Sequence, residues 1–263
     1  TYYMENGNIS ITAKEDGNYI TQGEINNQKD EGETVITNHD SSKASENTVT
    51  IETEGDCTAN VTLDNVNIDA SGTNKAAIYT EGKVTLELDG NNTLTGDTGH
   101  AALEKYSTAP NNVPDENYTL TLQDKTTDET TGDGKTGSLT ATGGAGGAGI
   151  GGSVQTVGGY ANNITITGGT ITANGGTGAA GIGGGAGDSS HLSGNENGGN
   201  GSFITISGKN TTVKATGGAG GAGIGGGKGD TGSKSGQGFN ITVEEGAHVE
   251  ATGGTVGAGI GGG

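Results

Sequence analysis

Two tyrosines frame a polar stretch, Tyr106 and Tyr118, with Asn111, Asn112 and Asp115 between them. An aromatic face suits the C–H side of a sugar ring, and amides and a carboxylate suit its hydroxyls. These five residues form the best local cluster for a glycan. The remaining chemistry is sparse. Acidic neighbours occur at Asp115-Glu116, Asp128-Glu129 and Glu244-Glu245, in polar surroundings that read as solvated surface. A glycoside hydrolase needs two carboxylates roughly 5–10 Å apart, and nothing in the spacing selects such a pair. His39, His100, His191 and His248 stand far apart in dissimilar contexts, and no triad can be nominated. The chain reads as non-catalytic.

A cation is the other chemical candidate. GGAGD (184–188) and GGKGD (226–230) resemble the start of the calcium-binding nonapeptide G-G-x-G-x-D, with the carboxylate one position early. Asp188 and Asp230 follow a glycine turn at equivalent places. Carbonyls and one carboxylate from adjacent turns suit a hard cation such as calcium. The glycine runs are not phosphate nests of the Walker kind, because no lysine stands in that register and no helix follows.

These residues are carried by a repeat. AGIGG stands at 148–152, 180–184, 222–226 and 258–262. Each copy follows a short stretch (LTATGG, ITANGG, VKATGG, VEATGG), and 11 residues separate its first apolar residue from the Ile of AGIGG in all four. Weaker copies centre on Ile78 and Leu103, preceded by Ile68 and Leu94. Upstream of each lies an alternating segment: VTL (61–63), VTLEL (84–88), LTL (120–122), ITI (164–166), ITI (204–206) and ITV (241–243). A period of two means strands with one buried face. With 57 glycines in 263 residues, helix is disfavoured.

The unit therefore reads as one coil of a β-solenoid, with Ala and Ile or Leu stacking inward. Glycine allows close backbone approach at the corners. The shortest spacing is 23 residues, from Val61 to Val84. Longer spacings need surface insertions, expected at 106–118, 124–136, 153–163, 186–202 and 228–238. Four of the five follow an anchor motif, so they should leave the solenoid at one edge. Residues 1–60 are less regular and read as N-terminal coils or a cap, with 61–263 as the continuous repeat body. The chain stops within a repeat motif, which suggests a fragment of a longer protein.

Net charge is −19, and there is no arginine. Residues 1–136 carry −17 of it and residues 137–263 carry −2. Such a surface disfavours nucleic acid and anionic membrane. Cys57 is the only cysteine, so there is no disulfide framework. No stretch approaches 18 apolar residues, which argues against membrane insertion.

The segment VTLDNVNIDASGTNKAAIYTEGKVTLELDGNNTLTGD (61–97) resembles the carbohydrate-binding domain family built on a right-handed parallel β-helix and found in surface proteins of anaerobic Gram-positive bacteria. The GGAGIGGG repeats look like those of large gut bacterial adhesins. The resemblance implies an all-β, right-handed parallel β-helix, for which the repeats predict about seven or eight coils. It implies a secreted or cell-surface module, monomeric, that binds a polysaccharide or host glycoprotein, with calcium as associated cation. Two other classes stay open: an adhesin for a host protein such as immunoglobulin or mucin, and a structural stalk.

Overall fold

The computed structural model describes residues 1–107, 113–114, 116–125, 136–154, 159–187 and 197–263. Regular structure there is nearly all β, with a 3-10 turn at Met4–Asn6. Eight coils stack through parallel pairing, and each coil visits up to three faces. The first face runs through Thr58–Asp64, the start of Lys83–Thr95, Thr119–Gln123, Ala161–Ile166, Gly201–Ile206 and Gly238–Val243. The second runs through Asn67–Asp69, the end of Lys83–Thr95, Gly137–Thr142, Thr170–Asn174, Thr212–Thr216 and His248–Thr252. The third carries the repeat anchors.

Those anchors form one column. Ile9, Val49, Ile78, Leu103, Ile150, Ile182, Ile224 and Ile260 pair in that order. All but Ile260 are at most 1% exposed. Ile260 is 50% exposed because no coil stacks beyond it. Burial of each such side chain stabilises by about 1.5–3 kcal/mol, and the column repeats this gain coil after coil.

Two details of register differ from the sequence reading. VTL (61–63) does not pair with the start of VTLEL. Ala59 pairs with Val84, Val61 with Leu86 and Leu63 with Leu88, so this coil takes 25 residues rather than 23. A slip of two keeps the same side chains inward, so alternation alone could not choose between them. On the second face, Leu94 stacks on Ala141, not on Leu139. Leu139 stacks instead on Asn92, which is 1% exposed. The Asn92 Oδ1 accepts from the Val66 N–H at 2.8 Å, and its Nδ2 donates to the Asp89 and Ser138 carbonyls at 3.0 and 3.1 Å. A polar side chain fits inside here because every hydrogen bond it needs is made.

The insertions lie where expected. Four leave the corner between the third and first faces; the one near 124–136 leaves the corner between the first and second. Strands resume at Ala161, Gly201 and Gly238, so those loops end earlier than the sequence suggested. At the N-terminal end the hairpin Gly17–Gln22 and Ile25–Lys29 pairs antiparallel on Ile9–Lys14. It covers the edge of the first coil on the third face, an edge that would otherwise present unpaired backbone groups.

Candidate functional site

The third face changes character along its length. In coils 2 to 4 its strands are long enough to carry outward side chains. Val49, Ile78 and Leu103 point inward, so the next residues, Thr50, Tyr79 and Glu104, form an outward column. Two positions further, Glu52 pairs with Glu81. From coil 5 onward the strand shortens to Ile-Gly, and the outward column continues as Gly151, Gly183, Gly225 and Gly261. Outward side chains on this face therefore belong to coils 1 to 4, and in coil 1 the hairpin Gly17–Gln22 and Ile25–Lys29 covers the strand edge.

Three tyrosines form a row there. The rings of Tyr79 and Tyr106 are 6.5 Å apart and those of Tyr106 and Tyr118 are 5.3 Å apart, edge-on. Tyr106 is anchored through its backbone, whose N–H donates to the Thr80 carbonyl at 2.9 Å. Lys105 beside it is buried, and its Nζ donates to the Tyr106 carbonyl at 3.0 Å and to Asn162 Oδ1 at 3.3 Å. Ser107 Oγ donates to the same Asn162 oxygen at 3.0 Å. The corner thus fixes Tyr106 from three sides before its ring reaches the surface.

The tyrosine row joins two clefts. One, of about 260 Å³, is lined by Thr50, Lys75, Tyr79, His100 and Glu104. The other, of about 400 Å³, is lined by Asp56, Glu81, Asn117 and Tyr118. The Tyr79 hydroxyl donates to Glu81 Oε2 at 2.8 Å. Burial pushes its pKa up, helped by the Glu81 hydrogen bond and the charges of Glu81 and Glu104. Tyr79 is thus held neutral, as a donor. His100 Nδ1 lies 3.0 Å from Glu104 Oε2, and that hydrogen bond holds the imidazole above its ordinary range against the opposing effect of burial. The arrangement sets partly exposed tyrosine rings beside carboxylates, an imidazole and hydroxyls.

Of the residues selected from sequence, the structure brings Tyr106 and Tyr118 together. Asn111, Asn112, Asp115 and Asp188 lie outside the described residues. The backbone carbonyl of Asp230 accepts from the Ser233 N–H at 2.9 Å, an ordinary turn. Among the described residues no three His, Cys, Asp or Glu side chains converge as a metal shell would require. The sequence offered Tyr79 as an aromatic in or beside a loop, whereas it lies in the strand Ile78–Glu81; Glu81, His100 and Glu104 were not selected as candidate site residues. The signal was present: Ile78 and Leu103 are equivalent anchors, so the residues that follow them must be neighbours on the outer face.

A family model described as beta helix repeat matches residues 164–186 and 204–228. The two matches begin at Ile164 and Ile204, which pair directly in adjacent coils. The fold is a parallel β-helix. No curated protein and no solved structure gave a significant match. Among the described residues no helix is long and apolar enough to cross a membrane.

Proposed function

We propose that this β-helix is a non-catalytic, extracellular binding module that takes a glycan on the third face of coils 2 to 4. The observation that carries the reading is the tyrosine row, with Glu81, Glu104 and His100 beside it on a surface bounded by two clefts. Sugar rings stack on such aromatic faces, and carboxylates accept from their hydroxyls. Tyr106→Ala and Tyr118→Ala are each expected to weaken binding about tenfold, as loss of a central aromatic contact does. Unchanged affinity in both variants would remove the glycan site from this face. Calcium dependence belongs to the same proposal and is read by repeating the titration in EDTA.

On coils 5 to 8 it is the third face alone that favours a spacer role, since it carries a glycine column in place of outward side chains. A host-protein ligand such as immunoglobulin or mucin is the outcome to which a failed glycan titration points. Binding of that kind would bury about 800 Å² per partner and would survive deglycosylation of the target.

A further inference from the structure

The corner between the third and first faces carries aromatic rings beyond the site described above. Tyr118 stands immediately before the strand Thr119–Gln123, and Tyr160 immediately before Ala161–Ile166. In the next two coils the rings lie just inside the strands. Phe203 falls in Gly201–Ile206 and Phe239 in Gly238–Val243, and the two rings meet edge-on at 6.1 Å. With Tyr106, five of the nine aromatic residues of the chain follow this one corner. Successive coils rise by about 4.8 Å, a step close to one sugar unit.

Phe203 holds φ at +52°. Its neighbours in the stack, Asn163 and Asn240, hold +54° and +51°. Asparagine tolerates this conformation; a bulky ring there is strained. The core does not require the ring, since Phe203 is partly exposed. Strain kept for an outward-facing ring points to a use at the surface.

A cleft of about 250 Å³ opens beside Tyr160, lined also by Asn197, Asn200, Lys234, Ser235 and Gln237. Its amides are set by the backbone of the next coil. Asn197 Oδ1 accepts from the Lys234 N–H at 2.9 Å, and Asn200 Oδ1 from the Gln237 N–H at 2.6 Å. Donors and acceptors held this way lose little freedom on binding. No carboxylate lines this cleft among the described residues, whereas Asp56, Glu81 and Glu104 line the clefts of coils 2 to 4.

We infer that the Tyr160 cleft is a second subsite for the same ligand, an extended neutral polysaccharide lying along this corner from coil 4 to coil 8. This rests on the glycan reading given under Proposed function. The polymer is neutral because the carboxylates at the first cleft repel uronates and sialates, while the amides, hydroxyls and Lys234 ammonium of the second can all hydrogen-bond sugar hydroxyls. Two subsites on one rigid edge raise the affinity for a chain that reaches both and leave a short sugar unaffected.

The test uses the full chain and a panel of soluble β-glucan, xylan, galactomannan and polygalacturonate. The best-bound neutral polymer is then compared with its own disaccharide. Tyr160→Ala is expected to weaken polymer binding about tenfold and leave the disaccharide unchanged, Tyr118→Ala to weaken both, and Tyr160→Phe to keep wild-type affinity. Gln237→Ala, at an exposed position, tests the cleft by a second route if Tyr160→Ala lowers the melting temperature. Wild-type polymer affinity in both Tyr160→Ala and Gln237→Ala, with loss in Tyr118→Ala, overturns the second subsite and leaves the first standing. Preference for polygalacturonate overturns the neutral class. Absence of binding to every polymer by the wild type overturns both subsites.

Discussion

The two halves of this solenoid share a fold and build it differently. Residues 1–136 carry −17 of the net charge and 12 of the 57 glycines; residues 137–263 carry −2 and the other 45. In the first half the third-face strands are longer, and charged and aromatic side chains stand on the outer faces. In the second, backbone packs on backbone. A Cβ on Gly176 would lie 1.7 Å from the Gly144 carbonyl oxygen, on Gly218 1.8 Å from that of Gly176, and on Gly254 1.8 Å from that of Gly218. The same column begins at Gly144, where a Cβ would lie 1.8 Å from the Asp97 carbonyl oxygen. Glycine in the second half is thus a spacing device as much as a conformational one. On the third face, outward charged and aromatic side chains concentrate where the strands are long enough to display them.

The sharpest break of this comparison comes from one substitution in each half. Gly218→Ala puts a methyl group into the Gly176 backbone, and neither side can yield without shifting a coil. It is expected to cost at least about 3 kcal/mol, read as a lower midpoint in urea unfolding. Gly55 is at φ +57° with open space around it, so Gly55→Ala should cost only about 1 kcal/mol. Equal costs would mean that backbone stacking does not distinguish the halves.

The inward columns should not distinguish them either. Leu86, Leu122, Ile166 and Ile206 form one buried stack through both halves. Leu86→Ala and Ile206→Ala are each expected to cost about 2–5 kcal/mol. A much smaller loss at Ile206 would show a looser core under the glycine-rich faces.

Asn92 sharpens the boundary between the halves, since it stacks under Leu139 where the coils ahead use Ile171 and Val213. Asn92→Leu would continue the apolar column but leave the Val66 N–H without its acceptor. A loss of about 1–3 kcal/mol is expected. A gain in stability would mean that the amide is dispensable.

The smallest effect concerns His100 and Glu104. Glu104 raises the imidazole pKa in the folded state above the ordinary value of 6.5. The stabilisation is therefore complete below that ordinary value and is lost as pH rises through the higher folded one. Between about pH 6 and about pH 9 the wild type should lose up to about 1 kcal/mol relative to Glu104→Gln. Parallel melting curves across that range would show that the pair is not coupled in solution.

Much of this was legible in the sequence. The AGIGG spacing identified the third-face column from Ile78 to Ile260, and loops following an anchor had to share an edge. Two kinds of information were not. Alternation has a period of two, so it could not separate a pairing of Val61 with Val84 from the one that occurs, Val61 with Leu86. The candidate site residues are brought together by stacking between coils and by turns at the corners, neither of which the alternation shows. Tyr79 meets Tyr106 across one coil, and His100 comes beside Glu104 only because the chain turns a corner between them.

The measurement that bears most directly on the glycan reading is a glycan array probed with the wild type and with Tyr118→Ala, in calcium and again in EDTA. A defined polysaccharide hit is expected for the wild type, fading in Tyr118→Ala. An array blank under both conditions, or a hit that Tyr118→Ala leaves intact, would contradict that reading.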